Sequence, residues 1–205
     1  MTGRTGSKMR VRRISSFTLW IAVSLGIACE TQKSTAVDID NGDLVTVVRA
    51  NRGHELVVEK HGIQATLRLV GIYTFAASVN EKNDITVYAN LSKDFVEKEL
   101  QGKTVTLILE REALDKRGRY LGFIEVDGID FNERMIEVGH AVLYTEYPFS
   151  REAAYIAAEA EPRKNGRGMW GGRASSKRVK ALRTTWAAVR RNSFGSPVKD
   201  PLLHE

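Results

Sequence analysis

The chain has 205 residues, 42% of them hydrophobic, which suits one average domain with extensions and excludes a chain that is disordered by composition. Its single cysteine, Cys29, excludes an internal disulfide framework and a cysteine-rich metal site. The net charge of +6 comes from the ends: residues 1–28 hold five basic and no acidic residues, residues 171–205 hold eight and two, and the remainder holds 18 and 23. Because phosphate neutralisation supplies most nonspecific affinity for nucleic acid, this acidic middle part counts against a surface that coats nucleic acid.

The first thirty residues have the pattern of a targeting segment. An apolar run over residues 17–28, FTLWIAVSLGIA, follows the five basic residues. The run is shorter than the ~20 residues of a membrane span and matches the ~7 to 15-residue apolar region of a secretory signal. Cys29 directly after Gly26-Ile27-Ala28 resembles a bacterial lipoprotein signal, in which the cysteine is lipidated, although Gly26 stands where that pattern has a leucine or a similar residue.

We therefore predict a signal peptide or a membrane or lipoprotein anchor over residues 1–30, with export to the bacterial cell envelope or periplasm. An uncleaved anchor and a plain signal with a chance cysteine at position 29 are alternatives. A mitochondrial presequence, with a location at a mitochondrial membrane, is another, because the leader contains arginines and serines and no acid. The uninterrupted apolar run favours export, since it does not form an amphipathic helix.

The next part of the chain has the pattern of closely spaced strands. Residues 31–36 are small and polar, which predicts a linker. Strands are predicted at 37–39, 44–48, 56–59 and 63–72, with a tight turn at Asn41-Gly42 between the first two. In the fourth strand, the alternation of side chains turns Arg68 away from its apolar neighbours.

Helices and a hairpin follow. A helix is predicted over residues 87–100, ended by Gly102, and then two strands at 105–109 and 121–126 joined by the turn LDKRGRY. Two further helices are predicted over residues 131–138 and 151–163. This order of strands, helix, hairpin and helices is typical of a small closed barrel with helices packed on it.

A basic helix is predicted near the C-terminus, over residues 175–191 of a segment that runs from 173 to 205. Val179, Leu182, Trp186 and Val189 recur at helical spacing among many basic residues. One interpretation is an amphipathic helix that touches a membrane surface or nucleic acid. We favour the other, in which the Trp186 face packs on the domain and the charged face is solvated.

Six segments follow one another in unbroken order across about residues 37–170: DNGDLVTV, LRLVGIYT, GKTVTL, DKRGRYLGFI, FNERMIEVGHA and GRGMW. Together they resemble the staphylococcal nuclease family. Each motif alone would be weak, whereas their agreement in order is specific. The resemblance implies an α+β fold over residues 37–172: a five-stranded OB-type β-barrel with about three packed helices, here with an N-terminal signal or anchor and a C-terminal basic helix.

The resemblance also implies a set of site residues. In the family, aspartates and a threonine carbonyl bind calcium, a glutamate acts as general base, and two arginines bind the phosphate and stabilise the transition state. By position, Asp43 and Thr74 match metal ligands, and Arg68 and Arg119 match the phosphate arginines. Further matches and neighbours are Asp115 and Gly118 in the second arginine's turn, and Lys116, Arg117, Tyr144 and Tyr147 near the nucleotide-contacting loops.

The departures fall in the turn that should hold the metal and the base. Tyr73 stands where the family has the second metal aspartate, Phe75 replaces a proline, and Ala76 stands where the glutamate base belongs. Calcium takes ~6 to 8 oxygen ligands, several of them carboxylates, so Asp43 alone makes a poor cage. Loss of a general base costs about 10² to 10⁴-fold in rate. A rescue would require Glu81 or Asp84 to enter the site from the following loop.

We therefore predict an exported or membrane-tethered domain of this family that lacks efficient metal-dependent nuclease activity and binds a phosphate group, nucleic acid or a protein. No cofactor is expected under this interpretation. The alternative is an active calcium-dependent nuclease with a rearranged site, for which Ca²⁺ is expected. A membrane contact is expected through the N-terminus, and the sequence does not identify a protein partner.

Overall fold

The computed structural model describes residues 37–77 and 83–195. The predicted leader with Cys29, the linker at 31–36, and Glu81 in the segment 78–82 lie outside the described residues. Among the residues that are described, no helix combines the length and the apolar character that crossing a membrane requires.

Five long strands close into a barrel. The strands, in chain order, are β1 (Asp43–Arg52), β2 (Glu55–Lys60), β3 (Ile63–Leu69), β4 (Ile72–Tyr73), β5 (Thr104–Leu114), β6 (Tyr120–Val126), β7 (Ile129–Asp130) and β8 (Val142–Leu143). The sheet runs β3-β2-β1-β5-β6-β7, and a parallel pairing of β3 with β6 closes it. β4 and β8 pair separately, beside the barrel. The predicted five-stranded barrel is confirmed.

The barrel interior is filled by alternate residues of its strands, as the two-residue period of a strand requires. These inward side chains are almost fully buried: Val45, Val47, Leu56, Val58, Leu67, Leu69, Val105 and Leu107. The same alternation places charged and polar side chains, Arg68 among them, on the outer surface. β1 is bent by two register irregularities, which allow one ten-residue strand to curve around the barrel.

Four helices pack on the barrel. They are α1 (Asp84–Leu100), α2 (Phe131–Glu137), α3 (Glu152–Lys164) and α4 (Arg173–Phe194), with a short 3-10 turn at Gly168–Trp170 before the last. Asn83 caps α1 by accepting hydrogen bonds from the backbone N–H groups of Ile85 and Thr86. α1 contributes Val96 and Leu100 to the core, and α2 contributes Met135 and Ile136.

The C-terminal helix, α4, is longer than predicted and is packed onto the domain. Its buried face includes Val179 and Trp186. Two arginines on the same face form internal ion pairs, Arg183 with Glu159 of α3 and Arg190 with Glu152 at the start of α3. The helix therefore docks through its Trp186 face, in agreement with the interpretation that the sequence favoured.

The start of the described chain differs from the prediction of a strand at residues 37–39. Val37 and Ile39 are buried in the core, but this segment joins no sheet. In place of strand pairing, the segment forms two hydrogen bonds with the Tyr120 hydroxyl, which donates to Val37 O and accepts from Ile39 N–H. The apolar residues at 37 and 39 thus gave the sequence the alternating pattern of a strand because they are buried, although none of the described strands pairs with them.

Candidate functional site

Arg68 lies on the outer face of β3 and is directed toward the end of the β1–β2 hairpin. Its guanidinium donates to the backbone oxygens of Ile72 at 3.1 Å and His54 at 3.4 Å. It also stands 5.4 Å from the centre of the Tyr144 ring, a cation–π distance. Burial lowers the pKa of Arg68 to about 10, which still leaves the side chain positively charged at neutral pH.

Arg119 is neutralised by two carboxylates. It follows the turn between β5 and β6, and its guanidinium donates to Asp115 Oδ2 at 2.8 Å and to Glu55 Oε2 at 2.6 Å. Asp115 also accepts from the backbone N–H groups of Arg117 and Arg119, so the turn itself fixes this carboxylate. Of the two predicted phosphate arginines, Arg68 thus lies on β3 and Arg119 directly before β6, and both already form hydrogen bonds within the protein.

Glu55 is a member of this cluster that the sequence did not reveal. It lies on β2 directly opposite Arg68 of β3 and forms an ion pair with Arg119. Burial raises the pKa of Glu55, but hydrogen bonds from Arg119 and Asn51 and the charge of Arg119 outweigh burial and lower the pKa below its ordinary value. An ionised carboxylate therefore lies where an anionic ligand of the two arginines would compete with it.

The turn after β3 is held tightly against the barrel. Gly71 adopts a φ of +76°, and a Cβ at this position would lie 2.5 Å from the Phe149 ring, so that only glycine fits without rearrangement. Tyr73 then pairs with Val142 in the short sheet of β4 and β8. The next residue, Thr74, is almost fully buried. The turn that the sequence predicted after β3 is therefore present. It carries Tyr73 and Ala76 at the positions where the resemblance implied an aspartate and a glutamate.

His54 is the side chain that completes the surroundings of Thr74. Its Nδ1 accepts from the Thr74 backbone N–H at 3.0 Å and lies 2.7 Å from the Thr74 hydroxyl. Burial lowers the pKa of His54 well below 6.5, and the charges of Arg68, Arg52 and Arg119 act in the same direction. His54 is therefore a neutral ring at the place where a carboxylate ligand of a metal would be needed.

Asp43 does not join Thr74. It lies at the first residue of β1, whereas His54 follows the last one, and a ten-residue strand spans roughly 30 Å. The Asp43 carboxylate forms an ion pair with Lys60 of β2, and this hydrogen bond lowers its pKa. The structure thus corrects the predicted pairing of Asp43 with Thr74 at one metal, because Asp43 lies with Lys60 at the open end of the β1–β2 hairpin, whereas Thr74 contacts His54 at its turn.

An aromatic cluster fills the space around Tyr73. The Tyr73 ring stacks on His54 at 5.7 Å and on Tyr144 at 6.5 Å, and meets Trp186 of α4 edge to face at 5.3 Å. Trp186 also packs edge to face on Tyr144 at 4.8 Å. We call Tyr73, Tyr144 and Trp186 the aromatic plug. It places α4 against the turn that carries the site.

The remaining predicted residues are distributed around this centre. Lys116 and Arg117 are exposed in the β5–β6 turn, next to Arg119 in sequence. Tyr144 is brought to the centre, since it contacts both Arg68 and Trp186. Ala76 is exposed at the edge of the turn. Asp84 accepts from the backbone N–H groups of Ala174 and Ser175 and so holds the start of α4, away from a catalytic role.

Comparison with known proteins decides the family. The profile described as "Staphylococcal nuclease homologue" matches residues 66–172, about half of the chain. The chain belongs to the staphylococcal nuclease family. An uncharacterised protein of Methanocaldococcus jannaschii is 30% identical over 147 residues, which cover 60% of this chain and 70% of that protein. The thermonucleases of Staphylococcus hyicus and Staphylococcus intermedius are each 28% identical over 109 residues, or 53% of this chain. The chain spans 64% of each thermonuclease, less than two thirds of its length.

The staphylococcal nuclease family generally uses Ca²⁺, and the residues at this turn do not fit that ion. Within residues 37–77 and 83–195, no three histidine, cysteine, aspartate or glutamate side chains lie together as a metal cluster. The candidate ligands at the turn are a neutral imidazole, a phenol and a threonine, whereas Ca²⁺ prefers several carboxylate oxygens. The described part of the turn thus brings the two predicted phosphate arginines near an aromatic cluster, with Glu55 and Asp115 already paired to Arg119.

Proposed function

We propose that this member of the staphylococcal nuclease family has lost metal-dependent hydrolysis and serves as a binding domain. The observation that carries the proposal is the pairing of Thr74 with His54 beneath the aromatic plug. Restoring a calcium cage there would require new carboxylates and the displacement of Tyr73 from Trp186, which packs on it at 5.3 Å. Staphylococcal nuclease domains generally bind nucleic acid, so a phosphate of a nucleic acid is the ligand class that Arg68 and Arg119 suit best.

The internal ion pairs set the strength of such binding. Arg68, Arg119, Glu55 and Asp115 sum to no net charge, because Glu55 and Asp115 both ionise with lowered pKa values. A phosphate must therefore replace Glu55 on Arg119 before it gains a full charge pair. We expect weak phosphate binding at this site, and no turnover.

The test is a cleavage assay on single-stranded DNA and RNA, with calcium and with a chelator. The wild-type protein is expected to release no more product than the Arg68→Ala variant under either condition. A matched Arg111→Ala variant, on the exposed part of β5, controls for the loss of a surface charge. Chelator-sensitive cleavage that Arg68→Ala abolishes and Arg111→Ala retains would overturn the proposal.

Glu55 supports one second candidate, a phosphodiesterase with a rearranged site. Its carboxylate lies 2.6 Å from Arg119 and Glu55 stands opposite Arg68, so a phosphate held by the two arginines would lie beside a candidate general base. Its lowered pKa makes it a weak base, which counts against this role. If the cleavage assay shows activity, Glu55→Gln is expected to abolish it under the second candidate and to leave it unchanged if the base is elsewhere.

We further propose that the chain is exported and held at a membrane by residues 1–30, on the sequence pattern given above. The mass of the mature protein tests this directly. We expect the mature protein to begin at a lipid-modified Cys29. We also expect a Cys29→Ser variant to be released into the soluble fraction. An unprocessed protein that sediments with no membrane would refute the tether.

A further inference from the structure

Helix α4 carries seven basic residues and no acidic residue over its 22 positions. Two of the seven, Arg183 and Arg190, point inward and pair with Glu159 and Glu152. The other five are exposed: Arg173, Lys177, Arg178, Lys180 and Arg191. The outer surface of the helix is thus positively charged, while its inner arginines are neutralised by the domain.

Four of the exposed residues lie in one line along the helix. Arg173, Lys177, Lys180 and Arg191 are separated by four, three and eleven positions, all close to whole turns of an α-helix. We call these four residues the basic stripe. It extends over roughly 27 Å, at 1.5 Å for each residue, and lies opposite the buried Val179 and Trp186.

Two exposed aromatic rings lie at the C-terminal end of the helix. Phe194 is 47% exposed and Tyr147 is 49% exposed, and their rings meet edge to face at 5.9 Å. Exposed aromatic rings beside basic residues are typical of surfaces that bind at the level of lipid headgroups. The family profile ends at residue 172, so the basic stripe and Phe194 lie on a helix outside the matched residues, whereas Tyr147 lies within them.

We infer that the basic stripe binds the surface of a membrane that contains anionic phospholipids. A line of cations on an outward-facing helix can approach a flat surface along its whole length. Each Lys or Arg near such a surface improves partitioning by about fivefold. The choice of lipid over nucleic acid rests in part on the proposed function, in which the N-terminal tether holds the chain at a membrane, and in part on the two exposed aromatic rings beside the helix.

The test measures the labelling of lysines by a water-soluble acylating reagent in the full chain. The protein is mixed with vesicles of phosphatidylcholine alone, or of phosphatidylcholine with phosphatidylglycerol, and each lysine is followed by mass spectrometry. Lys177 and Lys180 are expected to be protected only on the anionic vesicles, by about fivefold or more, and to lose protection at high salt. The exposed Lys98 of α1 and Lys103 serve as internal references.

Charge-reversal variants distinguish the effect of the basic stripe from the effect of the protein's net charge. Arg173→Glu with Arg191→Glu leaves both reporter lysines in place and is expected to abolish their protection. The matched variant Arg49→Glu with Arg111→Glu changes the net charge equally on exposed parts of β1 and β5, and is expected to retain the protection.

Two results would overturn the inference: equal labelling of Lys177 and Lys180 on both kinds of vesicle, or protection by single-stranded DNA without protection by anionic vesicles. Attachment through the proposed N-terminal tether is common to both kinds of vesicle and cancels in the comparison. Binding to phosphatidylcholine alone therefore tests the tether, and the difference between the vesicles tests the stripe.

Discussion

At the scale of single residues, His54 determines which polar groups of Thr74 are already hydrogen-bonded. Its ring accepts the Thr74 N–H and contacts the Thr74 hydroxyl, so the polar groups of the turn are satisfied within the protein. A buried imidazole that accepts hydrogen bonds in this way favours its neutral form. The turn is therefore stabilised by a side chain that has no charge to offer a metal.

The neutral state of His54 predicts a pH dependence of stability. The pKa of His54 in the folded protein lies well below 6.5. As the pH falls through 6.5, His54 of the unfolded chain therefore binds a proton, whereas His54 of the folded protein stays neutral. Stability is then lost toward acid, by up to about 1.4 kcal/mol per pH unit for one group. His54→Asn keeps an acceptor near Thr74, and its free energy of unfolding from denaturant titrations should depend less steeply on pH below 6.5.

His140 provides the matched comparison for this prediction. Burial lowers its pKa as well, so it contributes a slope of the same sign. His140→Asn should remove only that contribution and retain the one from His54. Equal slopes in the wild type and in His54→Asn would contradict the assignment of the slope to His54.

Glu55 predicts a gain of anion binding on substitution. Glu55→Gln leaves Arg119 with Asp115 alone, and the cluster then carries a net positive charge. Because partly exposed ion pairs contribute at most about 1 kcal/mol, we expect affinity for inorganic phosphate to rise by up to about fivefold, measured by titration calorimetry or chemical shifts. Glu59→Gln, four residues along the same strand, is the control and should change nothing. No gain in Glu55→Gln would mean that Arg119 remains unavailable to ligands.

At the scale of elements, α4 connects the site to the rest of the domain. Trp186 is 4% exposed and contacts both Tyr73 and Tyr144. Truncating a buried aromatic side chain costs about 3 to 5 kcal/mol. Trp186→Ala should lower the free energy of unfolding by that amount and speed amide exchange at Tyr73 and Tyr144. Thr185→Ala, on the exposed face of the same helix, should stay within about 0.5 kcal/mol of the wild type. Unchanged exchange in Trp186→Ala would show that α4 does not support the turn.

The elements themselves could largely be predicted from the sequence, because their signals are local. Strand alternation, the Gly102 stop and the helical spacing of Val179, Leu182 and Trp186 each lie within a few residues. What Trp186 packs on could not be predicted, since Tyr73 is more than a hundred positions away and the contact exists only after the barrel closes. The prediction of a strand at 37–39 was wrong for a related reason. Two buried apolar residues in alternation give the same sequence pattern whether or not another strand pairs with them.

The site was predicted only in part for the same physical reason. Arg68 and Arg119 were found because each lies in a motif of contiguous residues. His54 and Glu55 stand at a hairpin end without any motif, and they join the arginines only through the pairing of β2 with β3. Asp43 was matched by position to a metal aspartate of the family, and the structure instead gives it Lys60 as its partner.

At the scale of the whole molecule, the proposed function means that the fold and the chemistry of the family have separated. The barrel core consists of apolar positions that tolerate exchange among similar side chains, and it does not depend on the residues of the outer turn. Those residues could therefore change from ligands into packing without loss of the fold. Helix α4 stabilises the turn in this form, because Trp186 packs on Tyr73.

This separation predicts that a metal site can be rebuilt at the turn. In a His54→Asp, Tyr73→Asp, Ala76→Glu variant, three carboxylates lie near Thr74, which is the donor type that Ca²⁺ selects. Terbium luminescence excited through Trp186 should appear in this variant, reverse on addition of calcium, and be absent in the wild type. Adding Asp43→Asn should leave the signal unchanged, because Asp43 lies with Lys60 at the other end of the hairpin. A signal that requires Asp43 would restore the first assignment, and a folded variant without any signal would show that the turn no longer admits an ion.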